Sequence, residues 1–262
     1  MGTVVNRDTA WPAGTPCWVD LAVDDIPKAI SFYSAQFGWA IQQGPPEVGG
    51  YALATLDDRN AAGIGPKMGP AEMPSMWTTY IAADDAAEIA AKVEKAGGTL
   101  LSGPMDVMDL GKMLVAADPT GGTFGVWQAA KHTGFQVANV PGAVVWTEQM
   151  SHDFEAAKAF YRAVFGYEFG DMSSDGFSYA TLRLDGRDVG GIGGYPAGVP
   201  QEAPGSWTVY FGVANTDAAA EAAAKAGGML VHAPTDTPYG RMAMVTDDQA
   251  AGFSVLSVSF GD

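Results

Sequence analysis

Residues 17–39 read CWVDLAVDDIPKAISFYSAQFGW, and residues 146–167 read WTEQMSHDFEAAKAFYRAVFGY. Each stretch sets an acid two positions after a tryptophan, Asp20 after Trp18 and Glu148 after Trp146, and each closes on FY, three residues, then FG. The segment WVDLAV alternates with the period of two of a β-strand. It is followed by IPKAISFYSAQFG, where Ile26, Ala29, Ile30, Phe32, Tyr33 and Phe37 recur at helical spacing and Gly38 supplies the stop. Three short strand-like runs come next, which makes a β-α-β-β-β unit. The same order begins again with the strand MWTTYIA and the helix DAAEIAAKVEKAG, ended by Gly97 and Gly98. Strands near GTLLSG, KMLVAA and TFGVWQ complete it.

The repeat extends over the chain. FYSAQFGW from Phe32 matches FYRAVFGY from Phe160, Tyr51 matches Tyr179, and GIG at Gly63 matches GIG at Gly191, all offset by 128. SMWTTY matches GSWTVY at offset 130 and GKM matches GRM at 129, so the insertions between copies are tiny. The segment AAKHTGFQVANVPGA between the copies lacks strong periodicity and reads as a linker. The expected organisation is an N-terminal arm over 1–14, a first module over 15–128, a linker over 129–142 and a second module over 143–262. The fold class is α+β, with four βαβββ units forming curved mixed sheets around concave pockets.

At 262 residues and 47% hydrophobic content the chain can fill the cores of two ordinary domains. Its 30 acidic against 14 basic residues give a formal net charge of -16, which repels phosphate backbones and anionic lipid. Neither nucleic acid nor a membrane surface is an expected partner. The single cysteine, Cys17, excludes an internal disulfide framework and a thiolate zinc cluster, and reads as a small buried hydrophobe at a strand start. MGTVVNRDTAWPAG has neither an apolar core segment nor a basic leader, and no window approaches the roughly 20 apolar residues needed to cross a bilayer. The expected location is the cytoplasm.

Four such units, with D-x-x-x-A-x-x-FY-x-x-x-FG-W after the first strand, resemble the vicinal oxygen chelate superfamily, the glyoxalase, bleomycin-resistance and extradiol-dioxygenase fold. PCWVDL, FGW, DPTGGTFGVWQ and GAVVWTE are similar to a two-module actinobacterial branch found in antigen-like and antibiotic-pathway proteins. The resemblance implies three metal-ligand positions per module: a His opening the first strand, a His or Gln opening the strand of the next unit, and a Glu in the last strand. Here they fall on Trp18, Thr78 and Gly125, and on Trp146, Thr208 and Ser254. None supplies the imidazole or carboxylate that a divalent ion needs. His132 in the linker, His152 before a helix and His232 in a loop-like segment show no i, i+4 pairing and read as solvated or helix-capping. No cofactor and no metal is expected, unless a carboxylate site is built around Asp20 or Glu148.

Alternation sends Val19, Leu21 and Val23 toward the helix and leaves Trp18, Asp20 and Ala22 on the concave side. In the second unit Thr78, Tyr80 and Ala82 follow them, and Met113 and Val115 come from the strand after GK. The other half contributes Trp146, Glu148, Met150, Thr208, Tyr210, Gly212, Met242 and Met244. Indoles, phenols and thioethers suit a planar, hydrophobic ligand, although the same residues would also plug a barrel-like core. A carboxylate on such a face is costly unless bonded. Asp20 and Glu148 therefore read as acids that cap backbone or meet Arg183 or Arg187, as polar anchors for a ligand, or as general bases. Two Gly/Pro-rich segments, NAAGIGPKMGPAEMP and GGIGGYPAG, read as rim loops forming a gate over the pocket.

The expected function is metal-free binding of a bulky hydrophobic or aromatic small molecule, as in accessory or resistance proteins of anthracycline-type pathways. One alternative is a glyoxalase-like lyase or isomerase, or a hydroxylation-related enzyme. Another is an interaction protein with filled cores. The chain is expected to be a monomer or weak homodimer, because two modules on so short a linker pair with each other.

Overall fold

The computed structural model describes residues 4–69, 72–174 and 176–257. A short strand β1 (Val5–Asn6) precedes the first unit, β2 (Pro16–Val23), α1 (Ile26–Phe37), β3 (Ala40–Gln43), β4 (Ala52–Leu56) and β5 (Arg59–Pro66). The second unit is β6 (Met76–Ala82), α2 (Ala86–Lys95), β7 (Thr99–Val107), β8 (Gly111–Ala117) and β9 (Thr123–Ala129). After the two-residue strand β10 (Val137–Ala138) comes the third unit, β11 (Val144–Ser151), α3 (Phe154–Phe165), β12 (Glu168–Asp171), β13 (Tyr179–Leu184) and β14 (Arg187–Gly194). The fourth is β15 (Ser206–Gly212), α4 (Thr216–Lys225), β16 (Leu230–Thr237), β17 (Gly240–Thr246) and β18 (Gly252–Ser257).

Each half forms one curved, mixed sheet of eight strands, ordered β3-β4-β5-β2-β6-β9-β8-β7 and β12-β13-β14-β11-β15-β18-β17-β16. The two units of a half meet through their first strands. β2 pairs antiparallel with β6, and β11 with β15, while β5, β9, β14 and β18 lie parallel to the first strand of their own unit. This register sets Trp18 opposite Tyr80 and Trp146 opposite Tyr210, so each tryptophan has a phenol beside it on the same face.

The helices begin and end where the sequence signals. Asp25 and Asp153 accept from the backbone N–H three residues on, and Gly38 and Gly166 close α1 and α3 at φ 71° and 75°. Val19, Leu21 and Val23 are fully buried on the helix side, as the alternation predicts. The helix-covered faces of the two sheets then bury each other, α1 against α4 and α2 against α3. One core joins Leu21, Phe32 and Tyr33 to Phe211, Phe253 and Val255, and the other joins Leu114, Phe124 and Val126 to Phe160, Tyr161 and Leu182. The modules are therefore halves of a single packed body, with their concave faces on the outside.

One expectation needs correction. The GIG segments are central strand, not rim loop: Gly63 and Gly65 lie in β5, Gly191 and Gly193 in β14. Their lack of side chains makes room for others, because a Cβ on Gly63 would stand 1.7 Å from the Tyr51 hydroxyl and 2.2 Å from Asp20 Oδ1. Of the proposed gate, residues 70–71 lie outside the described residues. The interval between the modules, which lacks strong periodicity, is tied down as it crosses between them: β10 pairs with β1, and the Phe135 N–H donates to the Cys17 carbonyl at 2.7 Å.

Candidate functional site

In β11 the side chains of Thr147, Gln149 and Ser151 turn inward and are buried, leaving Trp146, Glu148 and Met150 on the concave face. Register extends this face sideways: Trp146 lies beside Tyr210, then Ser254, then Met244, and Glu148 lies between Gly191 and Thr208. Met242 follows on the same side of β17, where it and Met244 are half-buried while the intervening Ala243 is fully covered.

Glu148 is the polar centre of this bowl. Its Oε1 accepts the Tyr210 hydroxyl at 2.5 Å and its Oε2 accepts the Tyr179 hydroxyl at 2.7 Å, while the Trp146 indole N–H donates to the Tyr179 oxygen at 2.9 Å. Burial pushes the Glu148 carboxyl above the usual carboxylate range, opposed by the two tyrosine bonds that favour its charged form. The Tyr210 and Tyr179 hydroxyls are pushed upward, first by burial and then by the neighbouring carboxylate, so both stay protonated donors. Trp146, Glu148, Thr208 and Tyr179 each keep part of their surface open.

The first module repeats the chemistry in a closed setting. Asp20 Oδ1 accepts the Trp18 indole N–H at 2.8 Å and the Tyr51 hydroxyl at 2.5 Å, and Tyr80 adds a further hydroxyl bond. Burial raises its carboxyl as well, against these bonds. Here, however, Trp18 is only 3% exposed and Thr78 is buried, while Asp20 and Tyr51 stay partly open as Glu148 and Tyr179 do. Residues 132–135 lie over the bowl: the His132 ring meets the edge of Trp18 at 4.4 Å between centroids, and Phe135 stands 5.6 Å from the same indole. His132 was expected to be solvated; it is half-buried, and burial lowers its pKa to about 4. His152 and His232 are exposed; His232, read as lying in a loop-like segment, stands in strand β16 opposite Met244.

The sequence reading missed Tyr51 and Tyr179, the second hydroxyl at each acid. The signal was present in the matched pair of tyrosines across the repeat, but neither lies in a motif that names a role. Arg183 bonds Asp188 at 2.7 Å, and among the described residues neither Asp20 nor Glu148 forms an ion pair. Phenols, not arginines, satisfy both acids, and an indole N–H adds to them at Asp20 alone.

The ligand positions implied by the family resemblance do not fit a metal ion. An indole occupies the first in each module and a threonine the second. At the third, the Tyr80 ring covers Gly125 so closely that a Cβ there would stand 2.2 Å from it, and Ser254 takes the corresponding place in the other half. Among the described residues no three His, Cys, Asp or Glu side chains cluster as a metal site would require. No helix among them is long and apolar enough to cross a membrane.

Two eight-stranded sheets, each from a pair of βαβββ units with a polar centre at the junction of its first strands, define a known architecture. The family model described as the Glyoxalase/Bleomycin resistance protein/Dioxygenase superfamily matches residues 16–126 and 143–253. The chain belongs to this superfamily. Relatives within it include CFP32 of Mycobacterium tuberculosis, 40% identical over 250 residues that cover 93% of this chain and 94% of the relative. The anthracycline biosynthesis protein DnrV of Streptomyces peucetius is 35% identical over 267 residues, covering 97% and 96%. Among solved structures, the Mn(II)-bound glyoxalase from Novosphingobium aromaticivorans shares the superfamily fold with a TM-score of 0.66 at 16% identity, over 94% of this chain and 82% of that one. The chain thus sets indoles and threonines on the superfamily scaffold at the first two positions where the resemblance implies metal ligands.

Proposed function

We propose that this chain binds a bulky aromatic small molecule in the bowl of its second module, without a metal ion. In this reading it is an accessory or resistance protein of anthracycline-type chemistry, as its similarity to DnrV suggests. The observation that carries the reading is Glu148: a carboxylate with no cation, held by Tyr179 and Tyr210 on a partly open face beside the Trp146 indole. The indole offers a stacking wall, the methionines adapt to an irregular outline, and the acid accepts a ligand hydroxyl or amine. The net charge of -16 disfavours nucleic acid and anionic membranes. The mutual burial of the helix faces within one chain supports a monomer or weak homodimer. Calorimetry with a panel of planar polyketides tests this: one equivalent per chain, unchanged by a chelator, is expected. Affinity no tighter than high micromolar across the panel defeats it.

A second reading is favoured by the same acid. A carboxyl raised by burial and flanked by two phenols can exchange a proton with a bound substrate, which is the arrangement of a general acid or base. A lyase or isomerase, or a hydroxylation-related enzyme, would then change the bound molecule. Recovery of the ligand unaltered after prolonged incubation separates binding from turnover.

A further inference from the structure

The two bowls carry matching acids, indoles and phenols, yet among the described residues only the first has its tryptophan covered by its own chain. The covering piece is short and well anchored. The His132 N–H donates to the Leu110 carbonyl at 3.0 Å, the Phe135 N–H to the Cys17 carbonyl at 2.7 Å, and the Trp11 indole to the Phe135 carbonyl at 2.9 Å. Gly134 makes the turn at φ 92°, and a Cβ there would stand 2.4 Å from the Cys17 carbonyl oxygen, so only glycine lets the strap lie this close.

What the strap places over the bowl is a flat ring. His132 sits between two indoles, 4.4 Å from Trp18 and 5.4 Å from Trp127 between centroids, and the Trp127 N–H donates to the His132 carbonyl at 2.8 Å. Trp18, which it covers, also donates to Asp20, so the imidazole lies next to the acid-centred cluster of the first module. A cleft of about 160 Å³ runs alongside, lined by Trp11, Cys17, Ala82, Trp127 and Thr133.

We propose that the first bowl is a second binding site for a planar, hydroxyl-bearing aromatic ring, kept closed by the strap at 132–135 with His132 as its built-in occupant. The proposal rests on the reading of the second bowl as a ligand site, and it explains why the duplicated chain would bind through one half. Displacing the strap would expose the Trp18 face beside the already partly open Asp20 acceptor, and Trp127 would become the opposite wall.

The test is a titration of the full chain with 1,8-dihydroxyanthraquinone, followed by calorimetry and tryptophan quenching. The wild type is compared with His132→Ala, which removes the ring, and with Gly134→Ala, which pushes the strap away while leaving every bowl side chain intact. Each variant is first checked for a cooperative unfolding transition. One equivalent is expected for the wild type and two for an opened variant, the additional one being lost with Trp18→Ala or Asp20→Asn and retained with Trp146→Ala. A folded variant that still binds a single equivalent, removed by Trp146→Ala, overturns the proposal. So does failure of both variants to fold, since the strap is then part of the first module's core. If the wild type binds nothing while an opened variant binds one equivalent removed by Trp18→Ala, the second-bowl reading fails and this inference stands. No binding in any form overturns both.

Discussion

Tyr33, on the first helix of the first module, donates its hydroxyl to Asp247 of the second module at 3.0 Å. The same bond runs the other way at the repeat-related position, where Tyr161 donates to Asp118 at 2.9 Å. Each tyrosine oxygen also accepts an indole N–H, from Trp77 at 3.1 Å and from Trp207 at 2.7 Å. Each aspartate spends its other oxygen on backbone N–H groups of its own turn, Asp247 on those of Gln249 and Ala251, and Asp118 on those of Thr120 and Gly122. Both acids are buried and carry no cation, so their cost is offset by a full set of donors. Apolar contact joins the modules, and these reciprocal bonds fix their register.

The reciprocity is imperfect, and the imperfection gives a prediction. Asp118 Oδ2 also accepts the Gln149 side chain at 3.2 Å, whereas among the described residues the Asp247 oxygen facing Tyr33 has no second side-chain donor. Tyr33→Phe is expected to cost about 1 to 3 kcal/mol by stranding a buried carboxylate oxygen, and Tyr161→Phe less. Urea unfolding of both variants measures this, with a single cooperative transition expected in each. Equal losses would show that Gln149 contributes nothing.

The two tryptophans should separate stability from binding. Trp18 is buried under the strap, so Trp18→Ala is expected to cost about 3 to 5 kcal/mol of stability, in the range of large core truncations. Trp146 is partly open, so Trp146→Ala is expected to leave the unfolding midpoint close to wild type and to lose about 1 to 3 kcal/mol of ligand binding. Thermal unfolding paired with quenching titration reads both quantities. A destabilised Trp146→Ala with unchanged affinity would make the second bowl a filled core.

The sequence itself distinguishes the bowls by side chain: Glu148 stands for Asp20, Met150 for Ala22 and Met244 for Val115. The structure adds a larger cause, the strap, which no periodicity could reveal because its anchors are backbone bonds to residues far along the chain, such as Cys17 and Leu110. The sheets and helices were readable because the repeat shows each pattern twice and the caps Asp25, Gly38, Asp153 and Gly166 mark helix ends by local chemistry. GIG was misread because glycine usually marks a loop. Here it is strand, and the missing side chains accommodate the Tyr51 and Tyr179 hydroxyls, a reason that lies across the sheet.

That accommodation can be removed by one methyl group. A Cβ on Gly191 would stand 2.0 Å from the Tyr179 hydroxyl and 2.9 Å from the Trp146 indole nitrogen. Gly191→Ala is expected to displace Tyr179 from Glu148, lowering stability by about 1 to 3 kcal/mol through overpacking and weakening ligand binding at least tenfold. Calorimetry on the folded variant measures the binding loss. Full affinity in Gly191→Ala would mean that Tyr179 does not position the acid for the ligand.

Glu148 should also give binding a pH dependence whose sign follows from its surroundings. A ligand hydroxyl or amine needs the carboxylate form as acceptor, and burial raises this carboxyl above its ordinary value of 4.5. Affinity is therefore expected to fall as pH drops through the raised value, beginning at a higher pH than an exposed glutamate would allow. The bonds from Tyr179 and Tyr210 favour the charged form, so Tyr210→Phe is expected to move the decline to still higher pH. Glu148→Gln, which does not titrate, is expected to bind more weakly, by about tenfold or 1.4 kcal/mol, with a flat profile. Stability runs in the opposite sense. A raised carboxyl stabilises the fold in its protonated form, fully so below 4.5, and that contribution is lost as pH rises through the folded value. Glu148→Gln should thus gain stability relative to wild type with increasing pH while losing affinity. Calorimetric titrations and urea unfolding across the acidic range follow both quantities on the same three proteins. A flat wild-type binding profile would remove Glu148 from the ligand contact, whatever its effect on folding.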